Sequence, residues 1–217
     1  MERANNDENF IKNILFTDES TFPLLGHANP AVTRYWSREN LHRTYNARTQ
    51  YPQKLNVWAG ILGDHVIGPF FIDGNLNGRK YLDLLQAQVI PAIQQLGVEL
   101  GDVWFQQDGC PAHNTALVRE YLNRNFPNKV ISGWGNILWP ARSPDLTPAD
   151  FFLWGYVKST IYRFQDDRAN NLDELRIKIQ NCMQTISPEI LANVRRNFYD
   201  RLGYCSAQEG SRFEHLI

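Results

Sequence analysis

The sequence lacks any long run of apolar residues. A membrane-spanning helix requires roughly 18 or more consecutive apolar residues, and no stretch of this 217-residue chain approaches that length. The polar opening, residues 1–9, also lacks the apolar core that a signal peptide carries. We therefore expect an intracellular protein with no membrane role.

Cysteine is scarce, and neither sign of charge is in excess. Cys110, Cys182 and Cys205 are an odd number and far apart, which fits a reducing compartment better than a disulfide framework. The formal net charge is −1, so the whole chain carries no polycation signature. Any nucleic-acid binding must therefore depend on a local patch.

One such patch lies between residues 34 and 54, where Glu39 is the single acidic residue. Its basic residues are Arg34, Arg38, Arg43, Arg48 and Lys54, interleaved with Tyr35, Trp36, His42, Tyr45 and Tyr51. Basic side chains bind phosphates, and aromatic rings stack on unpaired bases, so this composition suits a loop that grips DNA. Composition alone fits a solvated, partly packed connection equally well.

Short β-branched and aromatic runs predict five strands, at residues 13–18, 55–62, 66–73, 103–108 and 129–132. Gly63-Asp64 separates the second run from the third and is a strong hairpin signal. The first and fourth runs end in Asp18 and Asp108. A strand, helix, strand order after the hairpin predicts parallel pairing at that side of the sheet. The sheet is therefore predicted to be mixed.

Helical spacing of apolar residues predicts five helical segments, at residues 77–96, 112–125, 147–162, 172–186 and 188–202. Pro91 should kink or split the first, because proline removes a backbone donor. Thr147, followed by Pro148, is a good helix start signal. The predicted fold class is α/β, with a mixed five-stranded sheet flanked by helices and a helical extension at residues 163–217 packed on the same domain.

Three aspartates are candidates for chemistry. Asp18 and Asp108 end two strands, and strand ends at one sheet edge lie close together. Asp150 lies in the first turn of a helix after a Pro-rich loop. Hard divalent cations prefer carboxylate oxygens, and two such ions can support phosphodiester chemistry. Taken singly, each aspartate is better explained by a turn or by a helix dipole than by chemistry.

Four sequence blocks change that balance: ILFTDES at residues 14–20, VWAGI at 57–61, QQDGCPAH at 106–113 and WPARSPDLTPADFFLWG at 139–155. Together, and in this order, they resemble the catalytic domain of mariner-type DNA transposases over roughly residues 13–162. The last two blocks are the most specific. Chance agreement of all four is implausible.

The resemblance implies a ribonuclease H-like fold for residues 1–162, with the metal-binding triad on Asp18, Asp108 and Asp150. Asp145 belongs to the same block as Asp150 but does not align with the catalytic position. The implied cofactors are two Mg²⁺ or Mn²⁺ ions. The implied reaction is cut-and-paste transposition, in which the element's ends are nicked and the freed 3′ hydroxyl attacks target DNA. Double-stranded DNA, a homodimer on that DNA and a nuclear location are implied as well.

The segment 23–54 occupies the place where family members carry a clamp-like insertion that helps pair two subunits on DNA. That would give the basic patch a purpose. We expect DNA contacts from Arg34, Arg38, Arg43, Arg48, His113 and Arg142. For His113 a capping or packing role, and for Arg142 surface solvation, are alternatives.

Two features depart from the family pattern. Asp108 and Asp150 are 150 − 108 = 42 positions apart, so 41 residues separate them, more than in the best-known members. We expect the extra length in residues 129–136. The catalytic block also begins almost at Met1, without an N-terminal pair of helix-turn-helix modules, so we expect this chain to lack specific recognition of element ends.

Other interpretations remain open at this point. A host-domesticated or truncated copy would be a non-catalytic DNA- or protein-binding module of the same fold, although retention of all three acids favours an enzyme. A general nuclease would use the same metal chemistry. Cys110 and His113 form a C-x-x-H pair, but no second pair stands at zinc-ligand spacing.

Overall fold

The computed structural model describes residues 9–24, 53–140, 143–164 and 168–208, together with Gly210 and Phe213. Most of the clamp-like segment 23–54 therefore lies outside the described residues. The same holds for five of the predicted DNA contacts, Arg34, Arg38, Arg43, Arg48 and Arg142. Lys54 is among the described residues and begins a strand.

The described strands form one mixed sheet. They are β1 (Ile14–Pro23), β2 (Lys54–Leu62), β3 (His65–Ile72), β4 (Trp104–Gln106), β5 (Val130–Ser132) and β6 (Ile137–Leu138), in the order β3-β2-β1-β4-β5-β6. β1, β2 and β3 pair antiparallel, whereas β1, β4, β5 and β6 pair parallel. The sheet has six strands, so the predicted count of five is corrected. β6 is only two residues long, too short to show a hydrophobic period.

β1 is longer than the sequence predicts. The apolar run stops before Asp18, but pairing with β2 continues from Leu15 opposite Leu62 to Pro23 opposite Lys54. Hydrogen bonds to a neighbouring strand, rather than apolar side chains, extend the strand past the aspartate. Parallel pairing with β4 covers only the first part of β1 and stops at Phe16.

The helical elements are α1 (Gly78–Leu84), a π-helical turn (Leu85–Val89), α2 (Ile90–Gln95), a 3-10 turn (Leu100–Asp102), α3 (Ala116–Asn125), a second π-helical turn (Ala149–Leu153), α4 (Trp154–Ile161), α5 (Leu172–Gln184) and α6 (Pro188–Ala207). The first helix is distorted before Pro91, where the π-helical turn Leu85–Val89 accommodates the backbone N–H that proline lacks. Ser187 caps α6 by accepting a hydrogen bond from Ile190 N. No helix in the described part of the chain is long and apolar enough to cross a membrane.

Helices cover both faces of the sheet. On one face, Tyr81, Leu85 and Ile93 pack in a buried cluster with Leu15 and Trp58. The opposite cluster joins α4 and α5 to the inner strands, with the buried side chains Val57, Ile61, Val157, Leu175 and Ile179. α6 packs beside it, with the ring of Phe198 4.7 Å from that of Phe16. The described C-terminal helices therefore share their core with the sheet that carries the candidate acids.

Candidate functional site

Asp18 and Asp108 stand level with each other at the edge of the sheet where the parallel pairing of β1 with β4 ends. Phe16 opposite Gln106 is the last pair between β1 and β4, and each aspartate follows its member of that pair by two residues (18 − 16 = 2; 108 − 106 = 2). Buried Thr17 fixes the register, because its Oγ1 donates to Gln106 O across 2.8 Å and its backbone N donates to Gln106 Oε1 across 3.3 Å. The register therefore places the backbones of the first two acids at the same level on neighbouring parts of the sheet.

Asp150 reaches this part of the sheet from a helical turn rather than from a strand. It lies in the π-helical turn Ala149–Leu153, where its backbone N donates to Thr147 O across 2.9 Å. Its carboxylate interacts electrostatically with both of the others, since it raises the pKa of Asp18 and its own pKa is raised by Asp108. The three predicted acids thus share one neighbourhood.

Burial and repulsion between carboxylates dominate the electrostatics of Asp18 and Asp150. Burial is the largest cause that raises the pKa of Asp18 to about 7, and repulsion from Asp150 and Glu19 adds to it. Burial also raises the pKa of Asp150, with Asp108 contributing, while Lys158 opposes the change. A cation between carboxylates that raise one another's pKa would reduce their repulsion and favour their ionised forms.

The donor chemistry fits a hard divalent ion, because the convergent atoms are carboxylate oxygens and they repel one another. Asp108 keeps an accessible carboxylate, with 53% of its side chain exposed. Across residues 9–24, 53–140, 143–164 and 168–208, however, no three His, Cys, Asp or Glu side chains are packed tightly enough to enclose a metal ion. The acids are near neighbours whose side chains do not form a closed cage.

The helix that follows Asp150 adds two residues to the site, Trp154 and Lys158. Trp154 Nε1 donates to Asp18 Oδ2 across 2.7 Å. Lys158 is partly buried, lies 5.3 Å from the centroid of the Phe22 ring and interacts electrostatically with Asp18 and Asp150. Asp150, Trp154 and Lys158 recur every four residues, the spacing of one helix face, so this signal was available in the sequence.

The other face of β1 carries a second group of polar residues. Strand alternation predicts that Glu19 points away from Asp18, and Glu19 Oε1 lies 3.2 Å from Nε2 of His113. His113 Nδ1 lies 2.7 Å from Asp108 Oδ1, which also accepts from Cys110 N across 2.9 Å. The imidazole thus bridges β1 and the loop that follows β4.

The neighbouring carboxylates determine the protonation state of the His113 imidazole. Burial alone would lower the pKa of His113, but Glu19 and Asp108 outweigh it and raise that pKa to about 10. For Asp108, burial alone would raise the pKa. The hydrogen bonds from His113 and Cys110 N outweigh burial, so the pKa of Asp108 is lowered. An imidazolium between two carboxylates is therefore the stable arrangement.

The position of His113 changes the interpretation of two sequence features. The residue is 1% exposed and carboxylates occupy both of its ring nitrogens, so it presents no free nitrogen to DNA or to zinc. We therefore correct its assignment from a DNA contact to a partner of Asp108 and Glu19. The C-x-x-H pair with Cys110 is explained by this arrangement.

Comparisons of sequence find transposases. The chain is 27% identical over 192 residues to the transposable element Tc3 transposase of Caenorhabditis elegans, covering 87% of this chain and 54% of that protein. It is 26% identical over 185 residues to the Tc1 transposase of the same organism, covering 82% of this chain and 61% of the relative. The chain thus spans between half and two thirds of the length of these curated relatives.

Comparisons of structure find Mos1 mariner transposase. The paired end complex with Mn matches 98% of this chain and 60% of the Mos1 chain, with a TM-score of 0.80 and 20% identity. The isolated Mos1 catalytic domain matches 98% of this chain and 89% of its own, with a TM-score of 0.73 and 20% identity. No protein-family model matches the sequence.

The structural likeness establishes the fold, which is the ribonuclease H-like fold of the Mos1 catalytic domain with six strands in the sheet. The sequence similarity independently relates the chain to transposases over most of its length. The predicted resemblance is confirmed, because the chain is similar in sequence to the Tc3 and Tc1 transposases and in fold to the Mos1 mariner transposase catalytic domain.

Proposed function

We propose that this chain is the catalytic core of a DNA transposase that cleaves and joins DNA strands with the help of divalent metal ions. The observation that carries the proposal is the convergence of Asp18, Asp108 and Asp150 at one sheet edge, where they interact electrostatically. Similarity to the Tc3 and Tc1 transposases over 87% and 82% of this chain adds support.

Asp18, Asp108 and Asp150 would hold Mg²⁺ or Mn²⁺, in the form of two ions. Mos1 structures containing Mg or Mn support this choice of metals. When bound, such ions activate an attacking oxygen and stabilise the leaving oxygen of a phosphodiester. The reaction proposed is hydrolytic nicking at the ends of an element, followed by transfer of the freed 3′ end to target DNA.

The remaining residues at this edge have defined tasks in the proposal. Trp154 fixes one oxygen of Asp18 through its indole N–H, so that the carboxylate has one preferred orientation. Lys158 supplies a positive charge that interacts with Asp18 and Asp150, and it is suited to bind a DNA phosphate beside the acids. These residues position the acids and the DNA backbone.

Double-stranded DNA is the proposed partner, with two copies of the chain working together on it. Paired end and strand transfer complexes of Mos1 support this proposal, because those assemblies are transposase–DNA complexes. The basic patch at residues 34–54 supplies the charge for phosphate contacts. Action on chromosomal elements would take place in the nucleus.

The test is strand cleavage and joining by the purified chain. Short DNA duplexes, some ending in a free 3′ hydroxyl, are incubated with Mn²⁺ and the wild-type chain or Asp108→Asn. We expect nicked and joined products that disappear in the variant. Asp102→Asn is the matched control, since Asp102 precedes the opposite end of β4 and its side chain is 73% exposed.

A non-catalytic binding module would give a different result. Metal-independent DNA binding without products in the wild type, and with no effect of Asp108→Asn, would reject the enzymatic proposal. A separate measurement concerns the clamp-like segment. Replacing Arg38 and Arg43 by Gln should weaken DNA binding most at low salt, because phosphate contacts release counterions. Unchanged binding would remove that segment from the proposed interface.

A further inference from the structure

His113 is held between two carboxylates on the face of the sheet opposite Trp154. Its Nδ1 lies 2.7 Å from Asp108 Oδ1, and its Nε2 lies 3.2 Å from Glu19 Oε1. An ionised carboxylate has only acceptors, so both ring nitrogens donate. The imidazole therefore connects β1, which carries Glu19, to the loop that follows β4.

A second set of contacts fixes the imidazole in this place. Gln107 Nε2 donates to His113 O across 3.3 Å, and Tyr81 OH donates to Gln107 Oε1 across 3.0 Å. The rings of Tyr81 and His113 are 4.2 Å apart. Tyr81 and Gln107 are completely buried, so the network is anchored in the core under α1.

The network constrains one oxygen of Asp108 and leaves the rest of the carboxylate open. Oδ1 accepts from both His113 Nδ1 and Cys110 N, and two donors on one oxygen restrict rotation of the carboxylate. The side chain as a whole remains 53% exposed. A carboxylate that is fixed on one side and accessible on the other is suited to bind an incoming ligand with little loss of entropy.

We propose that His113 and Glu19 are positioning residues for Asp108. His113 holds Oδ1 of Asp108, and Glu19 holds the imidazole in the orientation that does so. This proposal rests on the proposed function, in which Asp108 binds the divalent ion. Residues that hydrogen-bond to metal ligands commonly orient them, and their loss lowers metal affinity or activity.

Two substitutions of His113 separate positioning from packing. An Asn amide reaches about as far as Nδ1 of histidine, so His113→Asn keeps the donor toward Asp108 and loses the contact with Glu19. A Gln amide reaches about as far as Nε2, so His113→Gln keeps the contact with Glu19 and loses the donor toward Asp108. Both remove the ring, so a residue that only fills space would respond similarly to either change.

Mn²⁺ binding to the metal-free chain is measured by isothermal titration calorimetry. We expect His113→Gln to weaken the affinity about 10- to 100-fold and His113→Asn to weaken it less. Glu19→Gln, which keeps shape but removes the charge, should weaken it in the same direction. Wild-type affinity in His113→Gln, or equal losses in the Asn and Gln variants, would overturn the proposal.

A second measurement does not require metal. Three-bond NMR couplings to Cγ of Asp108 report its χ1 rotamer, and we expect one rotamer in the wild type and His113→Asn but averaging in His113→Gln. A single rotamer in all three would overturn the proposal. If both His113 variants fail to fold, Glu19→Gln decides: averaging supports the proposal, and wild-type couplings overturn it. Absence of Mn²⁺ binding by a wild-type chain with a fixed rotamer would instead reject the proposed function.

Discussion

The indole nitrogen of Trp154 donates to Oδ2 of Asp18 across 2.7 Å, joining residues that are 136 positions apart in the chain. The bond connects the helix that follows Asp150 to the central strand, and it is the direct link between the α4 side of the site and the first acid. Trp154 is itself buried, beside the ring of Phe22. Packing and site geometry are therefore coupled through one side chain.

Trp154→Phe should weaken the site more than the fold. The Phe ring keeps most of the packing, but the indole N–H that holds Oδ2 of Asp18 is lost. We expect Mn²⁺ affinity, measured by calorimetry, to fall about 10-fold or more because Asp18 loses its orientation. Trp134→Phe is the control, since Trp134 Nε1 is buried without a hydrogen-bond partner among the described residues. Equal effects in the two variants would contradict this role of Trp154.

The raised pKa of Asp18 predicts that the metal-free chain becomes less stable as pH rises. The unfolded carboxyl ionises near 3.8, whereas the folded one resists ionisation until about 7. The stability contribution is therefore fully present below pH 4 and lost by pH 7. Asp150 shifts in the same direction, while Asp108 and Asp64, whose pKa values are lowered, act at lower pH.

Urea unfolding of the metal-free chain at pH 5 and pH 7.5 checks this expectation. The wild-type midpoint should be lower at pH 7.5, and Asp18→Asn should reduce the difference. Saturating Mn²⁺ should restore the wild type at pH 7.5 and leave Asp18→Asn little changed. A wild-type midpoint that rises with pH over this interval would show that Asp18 ionises normally.

Lys158 provides a test of where DNA lies. If a phosphate binds beside Asp18 and Asp150, Lys158→Gln should reduce the slope of log affinity against log salt by about 0.9, the value for one phosphate contact on B-DNA. Fluorescence anisotropy with a labelled duplex at several salt concentrations measures the slope. Lys129→Gln is the control, because Lys129 lies before β5, beyond the opposite edge of the sheet. Equal slopes in wild type and Lys158→Gln would locate the DNA elsewhere.

The C-terminal helix α6 is tied to the β2–β3 hairpin, which predicts a role in stability. Arg195 Nη2 lies 2.7 Å from Asp64 Oδ1 and Nη1 donates to Gly63 O. Its side chain is 20% exposed, so Arg195→Ala should cost about 1 to 3 kcal/mol of unfolding free energy. Arg196→Ala, on the same helix, should stay within about 0.5 kcal/mol. Denaturant unfolding measures both, and equal losses would show that the anchor is not specific.

Local signals in the sequence predict where helices, turns and hairpins form better than they predict which distant strands and side chains come into contact. The hairpin at Gly63-Asp64, the helix distortion before Pro91 and the Ser187 cap of α6 follow from backbone chemistry within a few residues, and the structure contains them. Thr147 differs, because within the described ranges no side-chain hydrogen bond caps the helical turn that follows it. β6 and the far half of β1 depend on pairing with distant strands, which periodicity does not encode. For the same reason the contacts of Trp154 and His113 were missed, although the four-residue spacing from Asp150 to Lys158 pointed toward the first.

The chain between Asp108 and Asp150 passes through α3, β5 and β6, so it travels to the outermost strand and comes back. Residues inserted in this segment enlarge the outer part of the sheet and do not move the two acids apart. Linear separation between such acids is thus an unreliable criterion for recognising distant relatives. A search that rewards strand order and ignores loop length should recover members that a fixed-interval pattern discards.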